Sequence, residues 1–165
     1  MSKTQQQIKQ LLHYDPLTGV FTWVVSKGCR AKIGDIAGCH QARYVTIGLD
    51  KKNHMAHILA WLYMTGEYPI NEIDHIDGDG FNNTWVNLRA ATRKQNMENT
   101  SLFSTNTSGH RGVIWYKRNS KWGATVFHNG HRHFAGLYLT SDEAKVAAQL
   151  LRDQLFTHHH TSHAA

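Results

Sequence analysis

Cysteine and proline each occur only twice in the 165 residues. Cys29 and Cys39 stand apart, with no Cys-x-x-Cys pair anywhere, which argues against a disulfide framework or a four-ligand zinc staple. No structural zinc is therefore expected, and reduced thiols point to a cytoplasmic protein. Two prolines are too few for a proline-rich linker or a disordered tail. No apolar run approaches the eighteen or so residues that a membrane span needs, and the opening MSKTQQQIKQLLHYD lacks the apolar stretch of a secretory signal. Acids are scarce as well: 12 Asp and Glu face 18 Lys and Arg, for a net charge of +6 with all 13 histidines neutral. Such a surplus favours nucleic acid or another polyanion as partner. What is present is 41% hydrophobic residues and 10% aromatics, enough for a folded chain with one ordinary core or two small ones.

Apolar spacing organises the chain. Ile8, Leu11 and Leu12 predict a short opening helix, stopped by Asp15-Pro16 and a turn through Thr18-Gly19. Residues 20–25 and 44–49 read as strands, with loops and a short strand over 29–41 between them. His57, Ile58, Trp61 and Leu62 line one face of a helix closed by Gly66 and Pro69. Residues 73–76 are strand-like, 77–83 form a loop crowded with acids and turn residues, 87–91 return as a strand, and Thr92 caps a helix carrying Arg93, Gln95, Asn96, Met97 and Asn99. Residues 101–109 read as a Ser/Thr-rich linker. Beyond it, strands are expected over 112–116, 121–127 and 131–139, with Asn129-Gly130 as a hairpin signal. Thr140 or Ser141 caps a last helix with Glu143 at capping-box spacing and a stripe of Ala144, Ala147, Ala148, Leu151 and Leu155. Residues 158–165 read as a frayed tail. The fold class expected is α+β: domain 1–100, a linker, and domain 110–157 in which a three-stranded antiparallel sheet packs on one helix.

The chemistry-bearing residues concentrate between 74 and 96. Hydrolysis of a phosphodiester needs a base for water and a cation to neutralise developing charge. His75 can be that base, since an imidazole titrates near neutrality. Asp74 offers a hard oxygen one residue earlier, and Asn96 an amide oxygen suited to magnesium or manganese. Neighbours in a strand point to opposite faces, so Asp74 and His75 can share a site only at an edge or a bend. Asp77 and Asp79 read as loop-shaping acids, because Gly78 and the lack of a distal Glu argue against a calcium loop.

Residues 55–99 resemble the HNH endonucleases of the His-Me finger superfamily, especially phage and intron-associated homing enzymes. The resemblance implies a β-β-α metal nuclease hairpin, in which His75 is the general base, Asp74 and Asn96 hold Mg2+ (Mn2+ substituting), and Asn87 hydrogen-bonds the His75 ring. It also makes Arg93 the grip on a phosphate, where a guanidinium fork suits two oxygens. Asn82 and Asn83 then shape the loop and Leu88 belongs to the core. Ile58 stands where relatives often carry arginine after the histidine, so His57 reads as support.

Residues 107–156 resemble the APETALA2-type DNA-binding domain through Arg111-Gly112-Val113, Lys121-Trp122, Ala124, Phe134-Ala135-Gly136, Tyr138 and the alanine-rich helix. The parity turns Val113, Trp115, Ala124 and Val126 toward the helix, with Trp115 and Trp122 as core. Ile114, Tyr116, Thr125, Phe127 and Arg132 would face double-stranded DNA, bordered by Arg111, Lys117, Arg118 and Lys121. The outward apolar residues depart from the arginines and glutamate of that family, which favours affinity or shape recognition over base reading. The reading is a metal-dependent endonuclease on duplex DNA, monomer or homodimer. Its rivals are a non-cleaving sequence-specific DNA-binding regulator and an RNA-processing nuclease.

Overall fold

The computed structural model describes residues 3–28, 31–99 and 106–157. Cys29, most of the expected linker and the whole expected tail lie outside the described residues. The chain mixes α and β in several small antiparallel sheets, and it divides into two compact units, Met1–Asn96 and Met97–Ala165.

In the first unit, helix α1 (Gln5–Leu11) opens on a reciprocal cap: the Thr4 hydroxyl accepts from the Gln7 amide, and the Gln7 side chain accepts from the Thr4 amide. The helix is shorter than its apolar spacing predicts. Leu12 is already extended and starts β1 (Leu12–Tyr14), which pairs with β2 (Phe21–Trp23) in the register Leu12↔Trp23. That register buries Leu12, Tyr14, Phe21 and Trp23 on one face, so strand pairing prevails over helical propensity. Next come β3 (Cys39–Gln41), β4 (Tyr44–Leu49) and β5 (Lys52–Met55), a meander with β4 in the middle. Asp50 and Lys51 both take positive φ, 50° and 64°, the requirement of a two-residue hairpin turn. Helix α2 (Ala56–Thr65) follows and ends at Gly66, whose φ of 88° lets its amide reach the Leu62 carbonyl at 3.0 Å. Ile8, Phe21, Ile47, Leu49, Leu59 and Leu62 form the centre of this core.

Strand β6 (Glu72–His75) pairs antiparallel with β7 (Leu88–Ala91), and helix α3 (Arg93–Glu98) comes directly after. The partners are Glu72↔Ala91, Ile73↔Ala90, Asp74↔Arg89 and His75↔Leu88. Alternation therefore puts Ile73, His75 and Leu88 on the side facing the core, and Glu72, Asp74 and Arg89 on the other. Thr92 caps α3: its hydroxyl accepts from the Gln95 amide at 3.3 Å, and the Gln95 side chain accepts from the Thr92 amide at 2.8 Å.

The second unit contains β8 (Val113–Tyr116), β9 (Lys121–His128), β10 (His131–Tyr138) and α4 (Ser141–Leu155), with β9 central. Asn129 and Gly130 make a two-residue turn with φ of 54° and 78°. Thr140 and Glu143 cap α4 reciprocally. The core is small: Val113, Ala124, Ala144 and Ala148, with Trp122 and Tyr138 against them. Two expectations change here, and a third residue is buried without having been foreseen. Trp115 sits at the sheet margin, 43% exposed, edge-on to Trp122 at 5.0 Å. Thr125 is on the outward parity but only 3% exposed, with both its amide and its hydroxyl donating to the Gly112 carbonyl. Arg152, absent from the apolar stripe, is buried because its guanidinium donates to the Arg111 carbonyl at 2.8 Å and to Gln149 at 2.7 Å.

Candidate active site

The β6 strand stops at His75 because the chain turns there: the Gly78 amide donates back to the His75 carbonyl at 2.9 Å, and the Ile76 amide donates to the Asn87 carbonyl at 2.9 Å. The loop that follows is tied by its own polar groups. Asp77 accepts from the Asp79 amide and from Asn82, while Asp79 accepts from the Phe81 amide. Burial raises the Asp77 pKa, but hydrogen bonds from Asn82, Asp79 and Asn87, with the nearby His75, outweigh it and hold the carboxyl below its ordinary range.

Asn87 is the clamp of this loop. Its side-chain oxygen accepts from the Asp77 amide at 3.0 Å, and its nitrogen donates to the Asp77 carboxylate at 2.9 Å and to the Asn82 carbonyl at 2.8 Å. The amide at the His75 ring is instead that of Asn83, whose Oδ1 lies 3.3 Å from His75 Nε2. Asn87 thus reaches His75 through the loop, where a direct bond was expected. Asn83 Nδ2 donates to the Phe81 carbonyl at 3.1 Å, which fixes the amide with its oxygen toward the ring. With Nε2 donating to that oxygen, the neutral ring would carry its lone pair on Nδ1.

His75 is 5% exposed and lies in an aromatic corner. His57, from the first turn of α2, meets its ring edge-on at 5.0 Å, and Tyr44 of β4 lies 6.0 Å from His75 and 5.2 Å from His57. Burial pushes the His57 pKa down to about 4, with His75 adding to the effect. His57 is consequently neutral at physiological pH and sets no positive charge against His75.

On the other side of β6, Asp74 is 4% exposed and its Oδ2 accepts from Arg89 Nε at 2.9 Å and Nη2 at 2.6 Å. Asn96 Nδ2 donates to Glu72 Oε2 at 2.6 Å, and Arg93, whose side chain is 85% exposed, stands 3.7 Å from Glu72 Oε1. Asp74 and Asn96 therefore each have an oriented partner, Arg89 and Glu72 respectively. Among the described residues, no three His, Cys, Asp or Glu side chains gather around one point fit for a metal ion. A cation held by one carboxylate, one amide oxygen, water and phosphate oxygens does not need such a group. Glu72 holds the nitrogen end of Asn96 and leaves Oδ1 as its acceptor end, while Arg89 takes Oδ2 of Asp74.

Sequence reading missed Glu72, Arg89 and Tyr44 altogether, and it saw Asn83 only as a loop former. Glu72 carried a usable signal, since a residue two before Asp74 shares its strand face. The DNA-facing positions differ in accessibility: Ile114 and Phe127 are exposed, as are Lys117, Arg118 and Arg132, and Tyr116 and Lys121 are half-buried. Arg111 is turned inward, donating to the carbonyls of Glu98 at 2.9 Å and Met97 at 3.3 Å and lying over the Phe156 ring.

Residues 54–98 match the HNH endonuclease family, so the chain carries an HNH endonuclease domain there. Protein 3.8 of Escherichia phage T7 is 40% identical over 78 residues, 47% of this chain and 64% of that protein. An uncharacterized HNH endonuclease of Acanthamoeba polyphaga mimivirus is 34% identical over 96 residues, 58% of this chain and 49% of its own length. The chain thus spans 64% and 49% of the length of these two relatives, less than two thirds of either. No solved structure matches it.

Proposed function

We propose that this chain is an HNH endonuclease of the phage or intron-associated homing type that hydrolyses phosphodiester bonds in duplex DNA, with His75 as general base. The observation that carries the reading is the His75 imidazole at the end of β6, with Asn83 Oδ1 3.3 Å from its Nε2, one residue after the Asp74 carboxylate on the opposite face of the strand. His75 Nδ1 takes the proton of the attacking water, and Asn83 keeps the ring from rotating as it does so. Asn87 holds the loop on which Asn83 sits. Arg93, exposed on the first turn of α3, grips the phosphate beside the one cut.

Asp74 and Asn96 would hold a divalent cation, Mg2+ with Mn2+ able to substitute, which neutralises charge growing on the phosphate and the leaving oxygen. Their face of β6 is opposite to that of His75, so the phosphate approaches the strand's end, where both faces are within reach. The second unit holds the DNA through the sheet face away from α4, without Arg111 and Thr125.

The test is cleavage of a supercoiled plasmid with Mg2+, wild type beside His75→Ala. Loss of a general base lowers the rate by about 10²- to 10⁴-fold, while retention of duplex in a gel shift with EDTA stays within about twofold. Cutting by His75→Ala at a rate near that of wild type would reject the assignment. Binding without cutting by wild type in any divalent metal would point to a DNA-binding regulator instead.

A further inference from the structure

The sheet face of the second unit opposite α4 is unusual for a surface that reads duplex DNA. Cross-strand partners place Ile114, Tyr116, Phe127, Arg132 and Phe134 together on it. Phe127 is 66% exposed, Phe134 54% and Ile114 46%. The Tyr116 ring lies along the sheet over Gly123, where an added Cβ would fall 2.3 Å from Cε2. It meets Phe134 at 6.2 Å between centroids, and its hydroxyl accepts from Arg132, whose guanidinium also lies 5.9 Å from the ring centroid. The result is a Tyr116–Phe134 ring pair with the exposed Phe127 ring on the same sheet face, cross-strand from Arg132.

Reading a groove requires donors and acceptors that meet base edges. On this face Arg132 is engaged by Tyr116, and rings cannot read edges. Rings stack on base faces, and base faces are open only where the strand is unpaired. The charge around the patch supports the same ligand. Residues 106–139 contain five Lys and Arg and no Asp or Glu, and Lys117, Arg118, Lys121 and Arg132 lie at the patch or its border.

We propose that the β8–β10 face is a stacking platform for an unpaired nucleic-acid strand, with Phe127, Phe134 and Tyr116 against the bases and the four cations along the backbone. This deepens the reading of the second unit as a DNA-holding module and rests on it, while leaving the cleavage chemistry of His75 untouched.

The experiment is fluorescence anisotropy of the full chain in EDTA with three labelled probes of one mixed sequence: single-stranded DNA, single-stranded RNA and duplex DNA. Wild type is expected to bind a single strand at least as tightly as the duplex. Phe127→Leu and Phe134→Leu keep apolar area but lose the ring, and each is expected to weaken single-strand binding about tenfold and duplex binding by a clearly smaller factor. Phe127→Trp is expected to retain binding, and unchanged thermal melts verify that each variant is folded.

The ratio of the two single strands tells DNA from RNA, and ring-dependent binding of either upholds the platform. Duplex preferred by tenfold or more, or single-strand affinity indifferent to both Leu substitutions, overturns it. A dimer in sedimentation that the same substitutions dissolve would assign the face to a second copy and overturn it as well. Plasmid cleavage with Mg2+ is read separately, so a failed nuclease and a failed platform are told apart.

Discussion

At the scale of single residues, the most informative group is His57. Its ring is 8% exposed, its Nδ1 has no hydrogen-bond partner, and burial holds its pKa at about 4 against 6.5 for an ordinary histidine. Above pH 6.5 both the folded and the unfolded chain carry it neutral, so its linkage changes nothing there. Between pH 6.5 and 4 the unfolded chain takes up a proton that the folded chain refuses, and stability falls with pH; below 4 both forms are charged and the loss stops. The full effect is about 3 kcal/mol, at 1.36 kcal/mol per pKa unit. Urea unfolding at pH 7.5, 6, 5 and 4 should show the stability difference between wild type and His57→Leu shifting against wild type by about that amount. A difference that stays constant across the series would mean that His57 is solvated or charged in the folded protein.

The same residue marks how far the sequence could be read. Asp74, His75, Asn87 and Asn96 were all legible as polar residues in a fixed order, because chemistry limits which side chains can serve as base, amide or hard ligand. Their partners were not. Asn83 and Asn87 are equivalent in a sequence, and only the fold of the loop decides which amide meets the ring and which ties Asp77 to Asn82. Arg89 becomes the partner of Asp74 through the β6–β7 register, a long-range fact with no local trace.

At the scale of elements, packing decided what periodicity could not. Leu12 has helical spacing from Ile8, but its pairing with Trp23 makes it a strand residue. The β1–β2 hairpin then has a role beyond the core. The buried Tyr14 hydroxyl donates to the Asn83 carbonyl at 2.7 Å, and the Trp85 amide donates to the Pro16 carbonyl at 2.9 Å, so the hairpin braces the loop segment that orients His75. Gly19 makes this contact possible: its φ is +72°, and a Cβ there would fall 2.4 Å from the Asn83 carbonyl carbon and the Thr84 nitrogen.

Gly34 is the natural control, with φ of +88° and nothing within 4 Å of an added Cβ. Both Gly19→Ala and Gly34→Ala impose left-handed strain on an L-residue, roughly 1–2 kcal/mol. Only Gly19→Ala must also displace the Asn83 backbone. Under the proposed chemistry its plasmid cleavage is expected to fall at least about tenfold, as a misplaced group can cost up to about 10²-fold, while Gly34→Ala cuts at close to the wild-type rate. Equal rates for the two variants would show that the brace does not govern the ring.

At the scale of the whole molecule, charge separates two units that look alike by net count. Residues 1–96 carry eleven Lys and Arg against eight acids, and residues 97–165 carry seven against four. The first unit gathers four of its eight acids, Glu72, Asp74, Asp77 and Asp79, at the candidate site. The second confines them to Glu98, which is buried, and to Asp142, Glu143 and Asp153 on α4, so its sheet is cationic without interruption. Phosphate contacts made by such a surface are countable through salt. With Lys117, Arg118, Lys121 and Arg132 engaged on an unpaired strand, log K should fall against log salt with a slope of about −2.8, from about −0.7 per contact. Replacing Lys117 and Arg118 with Gln should reduce the slope by about 1.4, whereas Lys145→Gln, exposed on α4, should leave it unchanged. A slope that survives the double substitution would place the backbone elsewhere than along the β8–β9 turn, because counterion release reports only the cations that meet phosphate.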